Sequence, residues 1–218
     1  MNTELLISPV PTLHPEDSGD KALALMEESN FTQLPVVDED NYIALVSESD
    51  LMDWDNPGSA LSGAGFLHFK PAISNSAHPF DAMRVAHDMH IAVLPVLDHE
   101  QKYLGSITRD DLLKYITEKS GIGTPGGIIV LEIAPRNYTL VEIARICENE
   151  DVIIMNTMVN PNENGMLEVT LKLNRSSLEA VVSSFERHSY HVKGVFGENS
   201  TDEDVTSKYN LLMNYINM

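Results

Sequence analysis

The chain has very little cysteine, few aromatic residues and a shortage of positive charge. Its single cysteine, Cys147, excludes an internal disulfide and fits a reducing compartment. Lysine and arginine total 14 against 33 acidic residues, a formal net charge of −19, which would repel a phosphate backbone over the whole surface. Nucleic acid is therefore excluded as a partner. No apolar run approaches the roughly 18 residues of a membrane span, so no membrane partner is expected. Met1-Asn2-Thr3-Glu4 carries an acid where a secretory signal carries Lys or Arg, so a cytoplasmic protein is expected.

The charge is unevenly spread. Residues 1–60 hold Lys21 against thirteen acids, a net of −12. Residues 61–118 hold Lys70, Arg84, Lys102, Arg109 and Lys114 against seven acids, a net of −2, and the remainder carries −5. An anion, if bound at all, belongs in the second block.

Hydrophobic content of 43% is ordinary, and the pattern that organises it is a duplication. Gly105-Ser106-Ile107-Thr108-Arg109-Asp110-Asp111-Leu112 reads as a buried strand, a hydroxyl at the turn and an acidic first helical turn. Ala44-Leu45-Val46-Ser47-Glu48-Ser49-Asp50-Leu51 is a weaker copy upstream. The stripe Ala82, Val85, Ala86 and Met89 predicts an amphipathic helix; its counterparts are Ala22, Leu25 and Met26, behind a helix start at Ser18-Gly19-Asp20. Leu94-Pro95-Val96-Leu97-Asp98 repeats Leu34-Pro35-Val36-Val37-Asp38. Each copy is predicted as strand-helix-strand-strand-helix, opened by Ser8-Pro9-Val10-Pro11 or by Lys70-Pro71-Ala72-Ile73. Two units too small for secure cores alone should pack face to face. Asp55-Asn56-Pro57-Gly58-Ser59, with Gly63 and Gly65, reads as a linker, as does Thr117–Gly127.

Beyond Gly127 the predicted order is β-α-β-β-α-β. Ile128–Ile133 opens it, followed by a helix through Leu140, Ile143, Ala144 and Cys147 and a strand over Val152–Val159. A turn at Asn160–Gly165 leads to a strand over 166–173. A helix from Ser176 to Arg187 and a strand over His191–Phe196 complete it. Tyr209, Leu212, Met213 and Ile216 suggest a terminal helix.

The doubled pattern of Leu-Pro-Val-hydrophobic-Asp followed by Gly-x-x-Thr-x-x-Asp-Leu resembles a tandem CBS-domain pair, the Bateman module. The last third resembles an ACT domain, and the combined order is similar to acetoin-utilisation-type regulatory proteins. The implied fold is α/β (α+β): CBS repeats over 1–60 and 61–120 packed face to face, a ferredoxin-like ACT-like domain over 126–197, and a helical tail over 198–218.

Without that resemblance, Thr108-x-x-Asp111 has two readings. As a capping box, the hydroxyl accepts from a free amide and the acid reaches back. As a ligand site, the helix start and Arg109 suit a phosphate, and an ionised Asp111 accepts from a ribose diol. The resemblance implies the second, with AMP, ADP, ATP or S-adenosylmethionine as an effector, no catalytic cofactor, and a site of Ile73, Ser74, Ala92, Val93, Pro95, Thr108, Arg109 and Asp111. A weaker site would use Thr12, Gln33, Pro35, Ser47 and Asp50; there Ala44 replaces the glycine and Glu48 stands where Arg109 does, so it is expected to be vacant or to prefer an uncharged nucleoside. His87 and His90 share a helical face without a third ligand, which favours a solvated surface over zinc. The ACT-like loop Ala134-Pro135-Arg136-Asn137-Tyr138 lacks the glycine usual for amino-acid binding. No catalytic set is apparent. The expectation is a non-enzymatic regulatory homodimer with an unidentified protein partner; the alternative is a ligand-free scaffold in which both hydroxyl-x-x-Asp elements are only caps.

Overall fold

The computed structural model describes residues 2–197, and the helical tail expected at 198–218 lies outside the described residues. The chain divides between Ile116 and Thr117 into two units.

In the first unit, α1 (Gly19–Ser29) starts where Ser18 Oγ accepts the Lys21 amide at 3.2 Å. It ends at Asn30, whose left-handed φ of 58° turns the chain. Strands β1 (Gln33–Asp38) and β2 (Asn41–Ser47) pair antiparallel, Gln33 opposite Ser47, and α2 (Glu48–Met52) follows directly. The second copy runs β3 (Ile73–Ser74), α3 (Pro79–Asp88), β4 (Val93–Leu97), β5 (Tyr103–Thr108) and α4 (Arg109–Lys119), with sheet order β3-β4-β5. The two lead-ins differ from expectation. The second forms only a two-residue strand, and the first makes two isolated bridges, Ser8 to Ser106 and Leu13 to Val36. Pro9, Pro11 and Pro71 each lack an amide donor for a longer ladder. Met89 is corrected too: α3 stops at Asp88 and His90 takes φ 56°, leaving Met89 49% exposed.

The copies exchange the first residues of their lead-ins, while Leu13 and Ile73 pair within their own copies. Ser8 N–H donates to Ser106 O on β5 at 3.0 Å, and Leu45 N–H on β2 donates to Phe69 O at 2.9 Å. One register of sixty-one residues relates both contacts. The cores mix accordingly, with Leu45 of the first copy packed among Ala82, Ile91, Leu94, Val96 and Ile107 of the second. Tyr42 stacks on its counterpart Tyr103 at 6.3 Å.

In the second unit, β6 (Ile128–Ile133), α5 (Leu140–Asn149), β7 (Ile154–Pro161), β8 (Leu167–Leu173), α6 (Glu179–Arg187) and β9 (His191–Phe196) form one antiparallel sheet ordered β7-β8-β6-β9. Alternation along β6 and β8 sends Ile129, Leu131, Ile133, Val169, Leu171 and Leu173 to one face. There they pack on Ile143, Ile146, Cys147, Val181 and Phe185 from the helices. The helix expected from Ser176 begins at Glu179, with Leu178 at its N-cap and Ser177 Oγ donating to the Glu179 carboxylate ahead of the first turn. Pro161 is accommodated because β7 is an edge strand.

Candidate functional site

The two hydroxyl-x-x-Asp elements end β2 and β5, and each completes a capping box. Ser47 Oγ donates to Asp50 Oδ2 at 2.6 Å, Ser47 N–H donates to the same oxygen at 3.0 Å, and Asp50 N–H donates to Ser47 Oγ at 3.2 Å. Thr108 repeats the arrangement on Asp111 Oδ2 at 2.6 and 2.8 Å, with Asp111 N–H to Thr108 Oγ1 at 3.1 Å. Local sequence alone dictates this much, since a short polar side chain ahead of a helix satisfies amides that have no partner within it.

What stands in front of each carboxylate differs. Ser8, arriving with the first lead-in, donates from Oγ to Asp111 Oδ1 at 2.7 Å, so both Asp111 oxygens carry a hydrogen bond. At the corresponding place on the first copy stands Phe69, which has no hydroxyl to offer. Among the described residues no donor reaches Asp50 Oδ1. Asp50 faces a cavity of about 300 Å³ lined by Gln33, Leu45, Ser47, Phe66, His68 and Phe69. Trp54 supports one wall, edge-on to Phe66 at 5.5 Å. Gln33 Oε1 accepts from Ala92 N–H at 2.7 Å, tying the start of β1 to the residue before β4.

The structure brings together only part of the site expected around Asp111. Ala92 and Val93 do adjoin it, Val93 opposite Thr108 and Ala92 O accepting from Arg109 N–H at 3.0 Å. Ile73 and Ser74 do not: they pair with Val96 and Leu97, about 10 Å along β4 from Val93 at the usual strand rise. Pro95 is buried opposite Ser106. Arg109 turns away, donating from Nε to Ile91 O at 2.8 Å, and borders an apolar groove of about 460 Å³ with Met83, Ala86, His87, His90 and Leu112. In the other set, Gln33, Ser47 and Asp50 meet at one cavity. Pro35 is buried in the sheet opposite Leu45. Thr12 precedes Leu13, which bridges Val36, three residues along β1 from Gln33.

Sequence reasoning missed Ser8, Leu45, Phe66, His68 and Phe69. Phe66–Phe69 fall between the linker glycines Gly63 and Gly65 and the entry segment from Lys70, and only the exchange of lead-ins reveals their role. Among the described residues, no group of three His, Cys, Asp or Glu side chains is arranged to hold a metal ion, His87 and His90 included. No described helix is long and apolar enough to cross a membrane. In the second unit the loop Ala134–Tyr138 borders a separate polar cavity of about 580 Å³ with Glu132, Glu142, His188 and His191. Tyr190 OH donates there to Glu142 Oε2 at 3.1 Å; burial, reinforced by that carboxylate, pushes the phenol up to about 12.

Comparison with known proteins finds a match to the CBS domain over residues 3–56 and 71–118. Among curated proteins, the inosine-5'-monophosphate dehydrogenase of Thermoplasma acidophilum is 25% identical over 183 residues, covering 83% of this chain and 37% of the relative. That of Methanocaldococcus jannaschii is 26% identical over 112 residues, covering 51% and 22%. The chain thus spans little more than a third of the length of the first relative and about a fifth of the second. Among solved structures, CBSX2 of Arabidopsis thaliana in complex with AMP is 22% identical with a TM-score of 0.47, over 54% of this chain and 96% of that one. A CBS domain pair/ACT domain protein from Thermotoga maritima is 20% identical with a TM-score of 0.48, over 54% and 98%.

Proposed function

From the premise that residues 3–56 and 71–118 are a tandem pair of CBS domains, we propose that this protein is a non-catalytic regulatory sensor that binds an adenine nucleotide or related nucleoside in the pair. The observation that carries the reading is the open Asp50 carboxylate oxygen facing a cavity with Phe66, Phe69 and Leu45 on its walls. An ionised carboxylate accepts from a vicinal diol, and flat apolar walls suit a purine face. The ligand is assigned to the Asp50 half-site, not to the Asp111 half-site that the charge distribution favours, because Ser8 already holds Asp111 Oδ1.

The second unit, with its β7-β8-β6-β9 sheet, is read as ferredoxin-like and ACT-like. In a cytoplasmic homodimer it passes a ligand-induced shift in the CBS pair to a protein partner. The size of that shift is bounded by the ligand's differential affinity for the two states. One observation favours the competing scaffold reading: both capping boxes are complete without any ligand.

A thermal-shift panel of adenosine, AMP, ADP, ATP and S-adenosylmethionine separates the two. A true ligand at a hundred times its Kd adds about 2.7 kcal/mol, a shift of several degrees. Asp50→Asn, which keeps the cap acceptor, abolishes the response and Asp111→Asn preserves it. Silence across the panel leaves the scaffold reading, and the reverse mutant pattern returns the ligand to Asp111.

A further inference from the structure

We infer that the open face of the second unit's sheet is an interaction surface, and that its occupant is this chain's own segment 209–218. The inference does not depend on the ligand reading above. Alternation and register decide what the face carries. Both helices pack on the side of Ile129, Leu131, Val169 and Leu171, so the residues between these on each strand point the other way. On that side Ile128 and Val130 of β6 stand beside Phe196 and Gly194 of β9, and Thr170 of β8 stands between Val130 and Met158 of β7. The adjoining row is polar, with Glu132 beside Glu168.

The polar row is settled internally, since Lys193 pairs with Glu168 and Asn162 Nδ2 donates to Glu132 Oε1 at 2.9 Å. The apolar part is not. Phe196 is 61% exposed and Met158 52%, and neither they nor Ile128 and Val130 belong to the core beneath the sheet. A Cβ built on Gly194 would meet the Phe196 ring at 3.1 Å and Val130 Cβ at 3.9 Å, so the ring lies back over the glycine and extends the patch. Lys172 leaves the patch uncharged, because its Nζ is drawn to Gly126 O at 2.7 Å. Contiguous apolar surface on the open side of an antiparallel sheet marks an interface. The chain itself supplies a fitting occupant. It leaves β9 at Gly197, directly after Phe196, and residues 198–208 give it length to return. Residues 209–218 hold seven apolar or aromatic side chains, three asparagines and no charge, in a chain that is 22% charged. Tyr209, Leu212, Met213 and Ile216 recur at helical spacing, with Asn210, Asn214 and Asn217 grouped to another side. Ten helical residues span about 15 Å, and four strands are about 14 Å across. A second copy would bring another net charge of −19 to the face. The segment brings none and is held nearby at high effective concentration.

The test is thiol labelling of the full chain carrying Thr170→Cys, a small substitution at the centre of the face; the buried Cys147 reacts on a slower timescale. The rate is compared with that of the same chain carrying Leu212→Asp and Ile216→Asp, which place charge on the apolar stripe. With the native segment, labelling at position 170 should be at least tenfold slower and independent of protein concentration. A reference thiol from Ser183→Cys, exposed on α6, should label within twofold in both. Met158→Cys carries the same comparison should Thr170→Cys disturb the sheet. Equal fast rates with and without the aspartates show an open face and overturn the inference. Equal slow rates show a cover other than this segment and overturn it too. Slow labelling restored to the aspartate variant by excess native chain assigns the cover to a second copy, and overturns the intramolecular occupant.

Discussion

Gly105 offers a sharp test of how the two copies are joined. Its φ of 146° lies where side chains other than glycine are rarely found. A Cβ built on it would overlap the Ile7 side chain of the exchanged lead-in. Gly105→Ala therefore combines two penalties: a sparsely populated backbone, about 1–3 kcal/mol, and an overpacked contact, about 1–3 kcal/mol. The expected loss is about 2–6 kcal/mol, a large fraction of the stability of a unit this size, and on the order of 10–20 °C in Tm. Urea unfolding followed by fluorescence of Trp54, the chain's single tryptophan, reports on the first unit, because Trp54 packs edge-on against Phe66 there. Ile7→Ala separates the terms. In that background Gly105→Ala should retain the backbone penalty and lose the overlap, a coupling of about 1–3 kcal/mol. The counterpart Ala44 is fully buried with an ordinary φ, so Ala44→Gly should cost about 1 kcal/mol instead of stabilising. A Gly105→Ala variant within about 0.5 kcal/mol of the native chain, or one whose cost ignores Ile7, would refute the reasoning.

Ser8→Ala removes a hydroxyl donor to a carboxylate 103 positions away and should lower the urea stability of the first unit by about 1–2 kcal/mol; most of that loss should vanish in an Asp111→Ala background, and an undiminished loss would assign it to packing instead. Cys147 is buried in the second unit, and burial pushes its thiol up to about 11. At pH 8 a disulfide reagent should label the folded chain at least roughly 100-fold more slowly than the urea-unfolded chain, from the thiolate fractions alone. The raised pKa means the fold favours the neutral thiol. Its stabilising contribution is complete below the unfolded pKa and is lost as pH rises toward 11. Prompt labelling of the folded chain at pH 8 would contradict the burial.

Much of the fold was legible because local chemistry and packing agree. Ser18 was recognisable as a helix start and does cap α1. Ala82, Val85 and Ala86 do lie along the face of α3 packed into the shared core. Met89 completed the same stripe on paper, but the left-handed turn at His90 ends the helix first, and a periodicity count does not register where a helix stops. The lead-ins were read as the opening strand of each repeat, yet their prolines limit them to two isolated bridges and one two-residue strand. In the second unit, alternation along β6 and β8 reveals the buried face directly, because each strand shows one side to the helices.

The site was only half legible, for a topological reason. The capping boxes are contained within four consecutive residues, so sequence shows them. Their surroundings are contributed across the repeat. Aligning the copies in one dimension keeps each lead-in with its own repeat, which assigns Ile73 and Ser74 to Asp111, whereas Ser8 is the residue that arrives there. The same alignment gives Phe66–Phe69 no role, although Phe69 meets β2 of the first copy. Once the lead-ins are exchanged, each carboxylate is furnished by the opposite repeat, and a difference between the lead-ins becomes a difference between the half-sites. A serine closes one with a hydroxyl, and a phenylalanine walls the other and leaves its acceptor free. Charge count alone favoured Asp111 because Arg109 lies two residues before it in sequence, but Arg109 donates to Ile91 O. Proximity in sequence thus misplaced the cation, and proximity in space opens the other half.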